Sequence, residues 1–104
     1  MAFNIYNVYV DPSADRRFAS HLEFLARVSE GAAVRLYEEY EEALGFIAEF
    51  PKACPVYVPK TSMDVTLRYK LFGRRYRMVF EINDQDVYVY DIQDCRQNFD
   101  KNLI

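Results

Sequence analysis

Five of the ten residues from 68 to 77 are cations: Arg68, Lys70, Arg74, Arg75 and Arg77, with no acidic residue among them. Like charges this close repel, so the cluster is either well solvated or held ready for an anionic partner. Guanidinium groups grip phosphates and carboxylates through forked N–H donors, and an ammonium adds a compact charge beside them. Tyrosines follow one strand further on, at Tyr88 and Tyr90. Cations that neutralise phosphates and rings that stack on bases are the combination single-stranded nucleic-acid sites use. An acidic protein segment would satisfy the same surface. So would water alone, because antiparallel sheets commonly keep an outer face polar with lysine and arginine.

The elements around the cluster decide where these charges point. "AFNIYNVYV" is aromatic and β-branched and predicts a strand over 2–10. Asp11 then fits an N-cap and Pro12 the first helical position. Phe18, Leu22, Leu25 and Val28 recur at helical spacing, predicting a helix over 13–29. "SEGAA" breaks it, and Ala33, Leu36, Tyr40, Ala43 or Leu44, and Ile47 form the apolar stripe of a second helix ending at Phe50-Pro51. Glu38, Glu39, Glu41 and Glu42 mark its wet face. "VYV" at 56–58, bounded by prolines, is expected as a short edge strand or extended loop. Three strands follow, over 66–72, 75–82 and 87–93, with "FGRR" and "NDQD" as turns.

The expectation is an α+β fold with an N-terminal strand, an antiparallel helical hairpin and a C-terminal antiparallel β-meander, one domain over residues 1–104. If Gly73-Arg74 is a two-residue turn, Phe72 faces Arg75, Leu71 faces Tyr76 and Lys70 faces Arg77. Alternation then collects Leu67, Tyr69, Leu71, Tyr76, Met78 and Phe80 on the core face. Arg68, Lys70, Phe72, Arg75 and Arg77 fall on the open face, together with Tyr88 and Tyr90. Phe18, Leu22, Leu36, Tyr40 and Ile47 of the helices are expected against Leu71, Met78, Phe80 and Val89.

Composition limits the function classes. The formal net charge of −3 hides a segregation: residues 51–77 carry seven bases and one acid, while the flanking segments are acidic. Steering of the whole molecule towards nucleic acid is not expected, but a local basic patch is. No apolar run approaches the roughly 20 residues a membrane span needs, and "MAFNIYNVYV" lacks a basic leader, so a soluble cytoplasmic protein is expected. Cys54 and Cys95 are too far apart in sequence for a close ligand pair and His21 stands alone, so no metal and no cofactor are expected. Both thiols are expected reduced and buried.

The ordered pattern of strand, helical hairpin "DPSADRRF…AAVRLYEEYEEALGFIAEFP" and then "LRYKLFGRRYRMVFEINDQDVYVYDIQDCRQ" resembles the RelE/ParE superfamily, the toxins of bacterial type II toxin–antitoxin modules, also described as plasmid stabilisation proteins. The resemblance implies a cognate antitoxin protein as partner. In the RelE branch it implies an endoribonuclease cutting messenger RNA on the ribosome; in the ParE branch, an inhibitor of DNA gyrase that needs no catalytic residues; a third possibility is a decayed, antitoxin-binding homologue. Carried over by position, the RelE pattern gives Lys70, Arg77 and Arg96 as catalytic residues. Arg77 and Arg96 would stabilise charge on a phosphorane-like transition state as the substrate 2′-OH attacks. Lys70 would be the general base if neighbouring cations depress its pKa. Arg68, Arg75, Tyr88 and Tyr90 would bind substrate. No tyrosine follows Tyr90, so stacking on the base falls to Phe99. The structural alternatives pair Arg77 with Glu81 or Asp91, and have Arg96 bridge to Asp94 or cap the sheet edge.

Overall fold

The computed structural model describes residues 5–96 and residue 104. Strand β1 (Asn7–Val10) ends where Asp11 turns the chain into α1 (Pro12–Val28). The Asp11 carboxylate accepts the Ser13 backbone N–H at 2.9 Å and Pro12 opens the helix, the arrangement that suits a missing N–H. One residue, Ser29, separates α1 from α2 (Glu30–Glu49). Its N–H closes the first helix on Leu25 and its hydroxyl caps the second by accepting from Ala32 at 3.2 Å. The break is therefore shorter than "SEGAA" suggests, and Gly31 lies inside the first turn of α2. Pro51 stops α2 and starts a single 3-10 turn (Pro51–Ala53).

Strands β2 (Val56–Tyr57), β3 (Leu67–Phe72), β4 (Tyr76–Asn83) and β5 (Asp86–Asp94) complete one five-stranded sheet in the order β1-β5-β4-β3-β2. β1 pairs with β5 in parallel, and every other pair is antiparallel. The expected α+β architecture is the observed one: strand, helical hairpin, then a meander. β2 is the short edge strand foreseen for the proline-bounded segment.

The hairpin register differs from expectation by one residue. Phe72 pairs with Tyr76, Leu71 with Arg77 and Lys70 with Met78, so the loop is Gly73-Arg74-Arg75, three residues rather than two. Gly73 and Arg74 both take positive φ, at 58° and 69°. The reason is burial. This register puts Phe72, Tyr76, Met78 and Phe80 together on the helix side, each at most 6% exposed. Phe72 and Tyr76 stack on each other at 5.7 Å, and Phe18 and Tyr40 close the aromatic cluster from the helices. The alternative register would have left Phe72 in water beside Arg75. Its consequences are corrected with it: Leu71 is exposed rather than in the core, and Leu67 and Tyr69 lie on the opposite face in a second cluster with Tyr57 and Val79. Across the second turn Ile82 pairs with Val87 and Phe80 with Val89. A bulge between Val79 and Phe80 leaves Tyr90 without a residue opposite it, so Ile92, not Asp91, joins the core beside Met78.

Candidate functional site

The register divides the basic cluster. A one-residue slip transfers every side chain of a strand to the other face, and here it moves Arg68 and Lys70 to the helix side while Arg77 stays outside. Arg68 donates from Nη1 to the Cys54 carbonyl at 2.7 Å, tying β3 to the segment before β2. The Lys70 ammonium rests 4.6 Å from the centroid of the Phe46 ring on α2, in a groove also lined by Arg35, Glu38, Glu39 and Glu42. Its surroundings are thus three carboxylates, one guanidinium and an aromatic ring. Lys70 and Arg77 do not share a face.

Arg77 sits on the outer face between two tyrosine rings, its guanidinium 5.2 Å from the Tyr57 centroid and 5.8 Å from that of Tyr69. Its Nε donates to Gln93 Oε1 at 2.6 Å. Gln93 is fully buried, and its own amide donates to the Tyr57 hydroxyl and to Asp91 Oδ2, both at 2.9 Å. Neither Glu81 nor Asp91 is the partner foreseen for Arg77: Glu81 accepts the Tyr90 hydroxyl at 2.5 Å, and Asp91 takes Arg17 of α1 at 3.2 Å. The Tyr57 hydroxyl donates to the carbonyl of Ile104 at 2.7 Å, which brings that residue onto the same face. Sequence reasoning missed this network. Its signal was present in "DIQD", where a glutamine and two aspartates punctuate an otherwise apolar strand and must find partners when buried.

Arg96 behaves as its structural alternative described. Its backbone N–H and Nε both approach Asp94 Oδ1, at 3.0 and 3.5 Å, while its side chain stays largely exposed. Arg75, in the hairpin loop, lines the same groove as Arg96, Asp94, Tyr76 and His21. His21 is half-buried with its ring edge-on to Tyr76 at 5.5 Å, and burial lowers its pKa. Tyr88 and Tyr90 lie on the outer face as expected, and their hydroxyls are bound by carboxylates: Tyr88 to Asp86 at 3.3 Å, Tyr90 to Glu81. These bonds and charges push the Tyr90 phenol up to about 12 and raise that of Tyr88. Phe99 lies outside the described residues. Cys54 is buried as expected and Cys95 is exposed, against expectation, because β5 ends at Asp94; both are free thiols. Among the described residues no cluster of His, Cys, Asp or Glu could hold a metal ion, and no helix is long and apolar enough to cross a membrane.

A strand, a helical hairpin and an antiparallel meander in one sheet, with cations at the meander's first turn, define the RelE/ParE-like class of toxin folds. The family model described as the ParE toxin of the type II toxin–antitoxin system, parDE, matches residues 8–99, and the chain belongs to that family. It is thus a member of the RelE/ParE superfamily of type II toxins. No curated protein matches the chain significantly.

Proposed function

We propose that this toxin acts by binding, as a ParE-like poison of DNA gyrase, and that a cognate antitoxin protein holds it inactive in the cytoplasm. The observation that carries the reading is the separation of Lys70 from Arg77. The RelE mechanism needs a base and a transition-state cation on one surface. Here Lys70 lies against Phe46 on the helix side, and Arg77 is locked among Tyr57, Tyr69 and Gln93 on the other. A gyrase-directed binder asks for no such constellation, and the match to the ParE family model points the same way.

Arg74 and Arg75 in the hairpin loop and Arg96 just past β5 gather at one end of the sheet, wholly or partly open to solvent. They are suited to an antitoxin segment that brings carboxylates. Such contacts weaken with salt, so calorimetry at rising ionic strength tests their share.

Induced expression separates the readings. Gyrase-linked DNA breaks with uncut transcripts are expected, and the Lys70→Ala variant should kill as the parent does. New messenger RNA ends, lost on Lys70→Ala, would establish RelE-like cleavage instead. Neither breaks, new ends nor growth arrest would leave the decayed, antitoxin-binding homologue.

A further inference from the structure

The outer sheet face holds a second feature, away from Arg77. Where β1 gives way to α1, a cavity of about 230 Å³ is walled by Tyr9, Tyr88 and Tyr90 with Asp11 at its rim. The backbone places all four on one side: Tyr9 pairs with Tyr88, Tyr90 is two residues on from Tyr88, and Asp11 two on from Tyr9.

The rings are fixed. Tyr9 and Tyr88 stack with centroids 5.5 Å apart and planes 21° from parallel. The Tyr88 and Tyr90 hydroxyls are tethered to Asp86 and Glu81. Tyr9 nevertheless stays 51% exposed, a large ring left half in water on an edge strand. Asp11 uses a single oxygen for both of its bonds, Oδ1 accepting the Ser13 N–H and hydroxyl. Those two bonds answer the partial positive charge of the helix start. Oδ2 has no hydrogen-bond partner among the described residues.

Aromatic faces attract cations through their quadrupole, and carboxylates add net charge. Among the described residues no cation lines the cavity, although Arg16 of α1 is near enough to act on the Asp11 charge. The phenol pKa values raised by Glu81 and Asp86 report the same negative field. The size suits one side chain. Between the two protein cations, a planar guanidinium stacks on rings while its edge donates to a carboxylate, which an ammonium cannot do at once.

We propose that Tyr9, Tyr88, Tyr90 and Asp11 form a receptor for an arginine side chain of a partner protein. The partner segment is basic, since Asp11, Glu81 and Asp86 all lie on or beside this end of the sheet. The proposal rests on the reading that the toxin works by binding a protein, and supplies one of the contacts that binding uses.

The test is an NMR titration of the folded toxin with acetyl-Gly-Arg-Gly-amide, with the lysine and citrulline peptides in parallel. Arginine should shift the amides of residues 9–11 and 88–90, lysine should bind more weakly, and citrulline, planar but uncharged, should not bind. Asp11→Asn keeps a helix cap of equal quality and removes the charge; it should weaken arginine binding by about threefold, as an exposed ion pair does. Tyr9→Ala should cost about fivefold, the scale of one exposed cation–π contact. Equal shifts with citrulline, shifts confined to the Glu38–Glu42 face, or full binding by both variants would overturn the receptor. Gyrase supercoiling assayed with the same preparation keeps the two ideas apart. An uninhibited gyrase would refute the gyrase reading and leave the peptide result legible, whereas inhibition without peptide binding would remove the receptor alone.

Discussion

Arg77→Ala parts a structural arginine from a catalytic one. The substitution removes the donor to Gln93 Oε1, an acceptor on a fully buried side chain. Leaving such a group unpaired costs about 1–3 kcal/mol. It also strips the cation from between Tyr57 and Tyr69, two contacts of about 0.5–1 kcal/mol each at a partly exposed site. A loss of about 2–5 kcal/mol follows, against the roughly 5–15 kcal/mol that holds a domain folded. In urea, at a mid-range slope of about 2 kcal/mol per molar for a small domain, the midpoint should fall by about 1–2.5 M. The measurement is equilibrium unfolding of the purified variant followed by fluorescence, set beside the growth-arrest assay. If Arg77 were the transition-state cation alone, toxicity would drop on the order of 100-fold with the midpoint unmoved. That outcome, stability within about 0.5 kcal/mol of the parent and arrest abolished, would refute the structural assignment and reopen catalysis.

Two further expectations concern the fold that sets the register and the histidine beside it. Gly73→Ala forces a Cβ to 2.6 Å from Leu36 Cδ1 at a φ of +58°, so it should destabilise by about 2–4 kcal/mol from overpacking and backbone strain. Gly45→Ala, with nothing within 4 Å on an exposed part of α2, should instead stabilise by up to about 1 kcal/mol. Thermal melts of the pair check both, and equal shifts would contradict the loop geometry. His21 is held neutral because burial lowers its pKa below 6.5; Asp94 and Asp91 oppose that shift, Arg17 assists it, and the Tyr76 ring covers one edge. The unfolded chain therefore takes up the proton first. Its contribution to stability is complete above about pH 6.5 and is lost as pH falls below it. Unfolding at pH 7.5 and 5.5 should show a steeper acid loss for the parent than for His21→Gln, and identical slopes would exclude the effect.

The fold was legible because each element carries local signals that agree with burial. Asp11-Pro12 starts a helix, Ser29 divides the hairpin, Pro51 ends it, and Asp84-Gln85 forms the short turn that keeps Tyr88 and Tyr90 outside. The site was legible only as far as it depended on that last turn. For the cations it depended on whether Gly73-Arg74 or Gly73-Arg74-Arg75 closes the first hairpin, and glycine followed by arginines is compatible with both. What decides is the pair Phe72 and Tyr76, which stack in the core in this register, while parting Lys70 from Arg77 also relieves the repulsion of two like charges. Their burial is a property of the whole assembly, visible only once Phe18 and Tyr40 arrive from the helices.

The same competition explains why a run of five cations need not be one site. Arg68 and Lys70 reach the rim beside the short β2, where a long stem can cover apolar surface and the charge can still find a carbonyl or a ring. Arg77, central in the sheet, has no such exit and was matched instead by a buried glutamine that the bulge at Tyr90 helps bring into line. Charge density along the sequence measured how many cations the hairpin holds. Which way each one points was settled by the aromatic residues between them, and with it whether the surface can do chemistry or only recognise a partner.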